Sequence, residues 1–295
     1  MYRYQAKNQM PTFRIQASGH QIAFERFTLN TQLEKTERYL LITVIMLLAV
    51  AICGPVVLQP VHQHDFADQR FLGYFPNAAD VFSNLSFALW GFAGLLTLPA
   101  LKLNRTSIGL SALFFVGLIV TAFASGWYHL ELNNAGLGID RLGMTVAFAG
   151  LLGLAAADRV SLRSGVMLSW SVLILGAISV WAWSVSGNLL PWLVLQFGGM
   201  ALVLWFATLS PLQGALGVRW GVVILIYAAA KVLELADHAV YDFTSQLISG
   251  HSLKHIVASF AAWPVSAALI TKQKVAWQKL ASQRLKLHYT QTHNH

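Results

Sequence analysis

Charged side chains are scarce in this 295-residue chain: Asp, Glu, Lys and Arg together make up 11%, against roughly 25% in soluble domains. That shortage, beside an apolar content of 56%, excludes an ordinary soluble globule and points to an integral membrane protein. Cysteine is nearly missing as well. Cys53 stands alone, so no internal disulfide can form and the redox compartment leaves no trace. The first 38 residues lack an early apolar core and carry mixed charge, which predicts no cleavable signal peptide. Acidic residues are outnumbered, giving a formal net charge of +8. The basic residues flank apolar runs, so the excess reads as membrane orientation and not as a nucleic-acid surface.

What is present is length. Eight apolar runs, at residues 39–59, 82–101, 108–130, 140–157, 165–185, 189–209, 218–236 and 252–271, approach the roughly 20 residues a spanning helix needs. The pattern predicts an all-α polytopic transmembrane bundle: a tail over 1–38, an extra N-terminal helix over 39–59, a seven-helix core over 60–271 and a tail over 272–295. Threaded with the N-terminus in the cytoplasm, sixteen of the twenty Lys and Arg fall on the inner side. Arg70, Arg141 and Lys254 fall outside, and Lys231 lies within a span. This bias predicts eight crossings with both termini cytoplasmic.

Under that threading one set of polar residues gathers at the outer face. Ser125 and His129 lie one helical turn apart at the end of an apolar run, and Asp140 opens the next. A turn through Asn133, Asn134, Gly136 and Gly138 returns the chain to the same depth. Far downstream, His251 and His255 repeat the four-residue spacing that puts two side chains on one helix face. Three imidazoles leave a zinc ion an open position for water, whose pKa the metal lowers toward ~7. Asp140 suits the general base and Ser125 the oxyanion donor. The expected substrate is a lipid amide or ester reaching the rim of an apolar pocket. Lys231 and Glu234 read as an internal ion pair, one turn apart on one run, that holds helices together. Asn84 and Ser86 read as interhelical hydrogen-bond residues, and His62 and His64 as a loop pair. Trp183 and Trp192 read as interface or packing positions.

These residues resemble the alkaline ceramidases and the wider CREST superfamily. The likeness rests on Ser125-x3-His129, Asp140-Arg-Leu-Gly-Met144, Asp80-Val-Phe-Ser-Asn84 and Gly250-His-Ser-Leu-Lys-His255. The stretches His64-Asp-Phe-Ala-Asp-Gln-Arg70 and Lys231-Val-Leu-Glu234 resemble its bacterial branch, and that resemblance implies a bacterial cytoplasmic membrane. The resemblance implies zinc held by His129, His251 and His255. It also implies Asp140 acting on the water, Ser125 on the oxyanion, and hydrolysis of the amide of ceramide or another N-acyl lipid. Asp65, Asp68 and Asp80 only loosely mirror the acidic calcium cluster of eukaryotic relatives, so calcium is carried as an alternative. The N-terminal helix before the core departs from the family pattern. Three other readings compete: a metal-free hydrolase with Ser125 as nucleophile, a lipid receptor with a structural zinc, and a proton or ion transporter built on Lys231, Glu234 and Asp237.

Overall fold

A computed structural model describes residues 33–100 and 103–292 of the chain. Within them the fold is all-α, with only two isolated β-bridges, Leu58 to Asn188 and Leu72 to Phe75. Helix α1 runs Lys35–Cys53, and a long irregular segment then leads to α2 (Ala78–Ser83) and α3 (Leu85–Thr97). Four long helices follow: α4 (Arg105–Leu130), α5 (Asn134–Arg159), α6 (Leu162–Ser186) and α7 (Leu190–Thr208). The last group is α8 (Trp220–Leu235), α9 (Asp237–Phe243), α10 (Gly250–Ser259) and α11 (Ala262–Thr292).

Seven stretches are long and apolar enough to cross a membrane, with α2–α3 and the α10–α11 region each counted as one. The seventh expected span, over 218–236, becomes α8, of 16 residues. At 1.5 Å per residue it is about 24 Å long, short of a hydrocarbon core of about 30 Å. Both of its ends are fixed by polar contacts. At the start, the Asp158 carboxylate accepts the Gly217 and Val218 N–H groups at 2.8 and 3.1 Å and the Trp220 indole N–H at 2.9 Å. At the finish, the chain bends at Ala236 and Asp237 begins α9.

Packing at the centre depends on small residues. A Cβ on Gly150 would lie 2.2 Å from the Phe114 backbone nitrogen, so α4 and α5 approach to backbone contact there, as membrane helices with small interfacial residues do. Phe115, Leu154, Phe206, Trp220, Val265 and Leu269 fill the main core. Helix α1 lies against α7. Its Glu37 accepts a 2.6 Å hydrogen bond from the Ser161 hydroxyl, which also caps α6 through the Ser164 N–H.

Several expected boundaries move for local reasons. Asp140 was expected to open a span, but α5 begins six residues earlier, where the Asn133 side chain accepts the Gly136 N–H at 2.7 Å. Asn134, Gly136 and Gly138 are therefore helical and not part of the turn. The last span is broken at Phe260–Ala261 because Pro264 has no N–H to offer the Phe260 carbonyl; Trp263 donates to it instead, at 2.9 Å. Helix α11 continues through much of the expected tail, to Thr292. Residues 1–32 of the expected tail over 1–38, and Lys102, His293 and His295, lie outside the described residues, while α1 begins at Lys35, within that expected tail.

Candidate metal centre

Three helix ends build the centre. His129 sits in the last turn of α4, one turn beyond Ser125, and both are buried. His251 and His255 occupy the first turns of α10. Ser249 caps that helix by accepting the Ser252 N–H at 3.0 Å. The Asp80 carboxylate on α2 accepts the Ser252 hydroxyl at 2.6 Å, a negative group placed at the positive end of the helix. Gly250 makes the approach to α8 and α9 possible, since a Cβ there would lie 2.3 Å from the Leu233 carbonyl oxygen.

The sequence-expected histidines come together. One ligand atom from each of His129, His251 and His255 lies within 4.8 Å of the others, and all three residues are buried. The Nε2 atoms of His129 and His251 are 3.3 Å apart. Nitrogens held 2.0–2.1 Å from a tetrahedral zinc are separated by about 3.3 Å, so this spacing fits such an ion. His255 Nε2 fits it as well, being buried without a hydrogen-bond partner. His255 Nδ1 lies 2.8 Å from the Ser83 oxygen, while the Ser83 hydroxyl donates to the Asp80 carbonyl at 2.9 Å. With its one proton used there, Ser83 accepts from Nδ1–H, and this network assigns the His255 lone pair to Nε2.

Outer contacts hold the rings. The Asp237 carboxylate accepts the His251 N–H at 2.7 Å and the Ala67 N–H at 3.0 Å. Asn77 donates to the His129 carbonyl at 2.9 Å. The Phe66 ring stands edge-on to His129 and His251, with centroids 4.9 and 4.3 Å away, and covers the pair from the loop side. Asn84 donates to the Asp80 carbonyl at 2.8 Å, while Ser86 donates to the His255 carbonyl at 3.4 Å, the interhelical role expected of it.

The Ser125 hydroxyl interacts with the Asp140 carboxylate, whose Oδ1 is buried without a hydrogen-bond partner. Lys231 and Glu234 form the expected ion pair, and Lys254 joins it, with Nζ 3.4 Å from Glu234 Oε1 and 3.1 Å from His251 Nε2. His238 lies 3.4 Å from the Asp65 carbonyl on an exposed edge. His64 meets the Tyr128 hydroxyl at 2.8 Å and Asn134 at 3.0 Å. The acidic residues considered for calcium are dispersed among other partners: Asp68 pairs with Arg70 and Asp80 with Ser252. Among the described residues only the histidine trio forms a group that could hold an ion.

Sequence reasoning missed three features. Lys254 counted only as a flanking charge, although its i+3 spacing from His251 puts it on the ligand face. Arg141 counted likewise, yet it is 5% exposed, stacked 4.2 Å from the Trp183 ring and donating to Gln59 at 3.0 Å. The neighbouring tryptophans gave a signal for that, through cation–π attraction. Phe66 left none, because its place depends on the path of an irregular loop. No protein-family model and no curated protein matches this chain.

Proposed function

We propose that this protein is a zinc-dependent membrane hydrolase that cleaves the amide bond of an N-acyl lipid such as ceramide. The observation that carries the reading is the convergence of His129, His251 and His255, with two facing nitrogens at 3.3 Å. A zinc ion held there would polarise a carbonyl and lower the pKa of water.

The chain's own groups account for the remaining chemistry. Asp140, with a buried oxygen free of hydrogen bonds, takes a proton from the attacking water. The water oxygen bonds to the acyl carbon, and the carbon–nitrogen bond breaks with its electron pair going to nitrogen. Asp140 returns the proton to that nitrogen, so the products are a carboxylic acid and an amine. Ser125 orients Asp140 through its hydroxyl. Apolar surroundings favour a lipid substrate. A narrow fissure between α5, α7 and α8 has Gln196 and Tyr227 as its only polar lining residues, and these two bond to each other at 2.8 Å.

The test is metal analysis of the purified full-length protein, with His129→Ala and His255→Ala alongside, followed by a fluorescent ceramide assay. Stoichiometric zinc in wild type, its loss in both variants, and hydrolysis by wild type alone are expected. Wild type free of zinc overturns the reading. Stoichiometric zinc without hydrolysis of ceramide or simpler fatty amides replaces it with a structural metal in a lipid-binding protein.

A further inference from the structure

Helix α10 carries three polar side chains on one stripe: His251, Lys254 at i+3 and His255 at i+4, spacings that share a helix face. Two of these converge with His129. The third, Lys254, is also turned to that centre, with Nζ 3.1 Å from His251 Nε2. This is the same nitrogen that lies 3.3 Å from His129 Nε2.

An ion pair with Glu234 does not account for this placement. Glu234 already has a cation, because Lys231 one turn away on α8 contacts its Oε2 closely. Lys254 reaches the other oxygen only at 3.4 Å. Two ammonium groups share one carboxylate, and the more weakly held of them faces the histidines. Ser125, meanwhile, is engaged by Asp140. Its hydroxyl has a single proton, so a donation to that carboxylate leaves none for an oxyanion.

We propose that Lys254 is a catalytic residue, the charged donor that stabilises the oxyanion formed on the substrate carbonyl, with Glu234 and Lys231 fixing its direction. This rests on the hydrolase reading above. A metal ion held by His251 would take the lone pair that now faces Lys254, leaving the ammonium free to donate to a substrate oxygen bound beside the histidines. A cationic donor there acts in surroundings that screen it little, where a fixed charge aimed at developing negative charge has its largest effect. No proton need leave Lys254: it donates a hydrogen bond as the carbonyl oxygen gains charge, and keeps its charge throughout.

The experiment uses full-length protein in lipid nanodiscs, as wild type, Lys254→Met and Lys254→Arg, with zinc content measured in each. One arm measures binding of lauroyl hydroxamic acid, whose metal-chelating oxygens imitate the oxyanion. The other measures ceramide hydrolysis. Lys254→Met is expected to keep its zinc, to bind the hydroxamate at least tenfold more weakly, and to lose about a hundredfold in kcat with KM changed little. Lys254→Arg, which retains charge and donors, should recover most of the hydroxamate affinity. A zinc-loaded Lys254→Met that binds hydroxamate as wild type does overturns the inference and leaves the hydrolase reading standing. Wild type that binds hydroxamate Lys254-dependently but hydrolyses no amide supports the donor and removes the ceramide substrate. If Lys254→Met fails to fold, Glu234→Gln gives the second measurement, since releasing the ammonium from its carboxylate should alter hydroxamate affinity with zinc retained. No change there also overturns it. Wild type without zinc defeats the reading and this inference together.

Discussion

The carboxylate of Asp237, the first residue of α9, accepts the backbone N–H of His251 at 2.7 Å through one oxygen and that of Ala67 at 3.0 Å through the other. One side chain thereby ties the start of the helix that carries His251 and His255 to the loop that brings Phe66 against His251. Hydrogen bonds to a charged group contribute about 1.5–3 kcal/mol each. Asp237→Ala leaves both donors without their acceptor, so a clear fall in melting temperature and a loss of bound zinc are expected. Asp237→Asn keeps one acceptor oxygen and should fall between. Thermal unfolding read by tryptophan fluorescence, with zinc analysis on the same preparation, checks both.

Ser83 contributes at one remove. Its oxygen lies 2.8 Å from His255 Nδ1 and sets which nitrogen of that ring carries the lone pair. Partners of this kind change metal affinity by about 10–100-fold when removed. Ser83→Ala should therefore weaken zinc binding by that order while the helical fold persists, as a chelator competition titration with circular dichroism would record. Retained affinity would mean that the Ser83 contact does not set the lone pair of His255.

At Gly250 the argument is steric. Any Cβ would meet the Leu233 carbonyl oxygen at 2.3 Å and Asp237 Cα at 2.8 Å, and neither backbone can yield without moving α8 or α9. Gly250→Ala would push α10 away and pull His251 and His255 from His129. Expected results are lost zinc and a stability drop of about 1–3 kcal/mol, the usual range for overpacking. Equilibrium unfolding in detergent micelles measures the second. Unchanged zinc content would show that the junction gives way without disturbing the rings.

How much of this was legible beforehand depended on distance along the chain. Ser125-x3-His129 and His251-x3-His255 each lie within one helix, so helical periodicity alone put each pair on one face. Their meeting is a long-range event. It depends on breaks at Asn84, Ala236 and Phe260, and only the last has an obvious sequence cause, Pro264. Apolar length marked the spanning helices well, yet it overestimated α8, because the polar contacts of Asp158 and Asp237 that end it are tertiary. Arg141 and Lys254 were misread for one shared reason. Counting basic residues as markers of a membrane face treats each as solvated, whereas Arg141 stacks on Trp183 and Lys254 turns inward to His251.

Acid should expose the role of a second loop anchor. The Arg70 guanidinium holds the Asp68 carboxyl below its ordinary range, bonding to it at 2.8 and 2.6 Å and to the Leu247 carbonyl at 3.0 Å. A carboxyl whose folded pKa is depressed binds fewer protons folded than unfolded. It therefore stabilises the fold fully above its unfolded pKa of about 4, and that contribution is lost as pH falls through the lower folded value. Wild-type stability should accordingly fall below about pH 4. In Arg70→Met the Asp68 carboxyl, whose side chain is 1% exposed, loses its counter-charge while staying buried, and burial alone raises a carboxyl pKa. The sign then reverses: the variant is less stable at neutral pH and recovers part of the deficit as acid neutralises the group. Melting temperatures of both proteins between about pH 3 and 7 should converge on acidification, and parallel curves would show that Asp68 carries no such linkage.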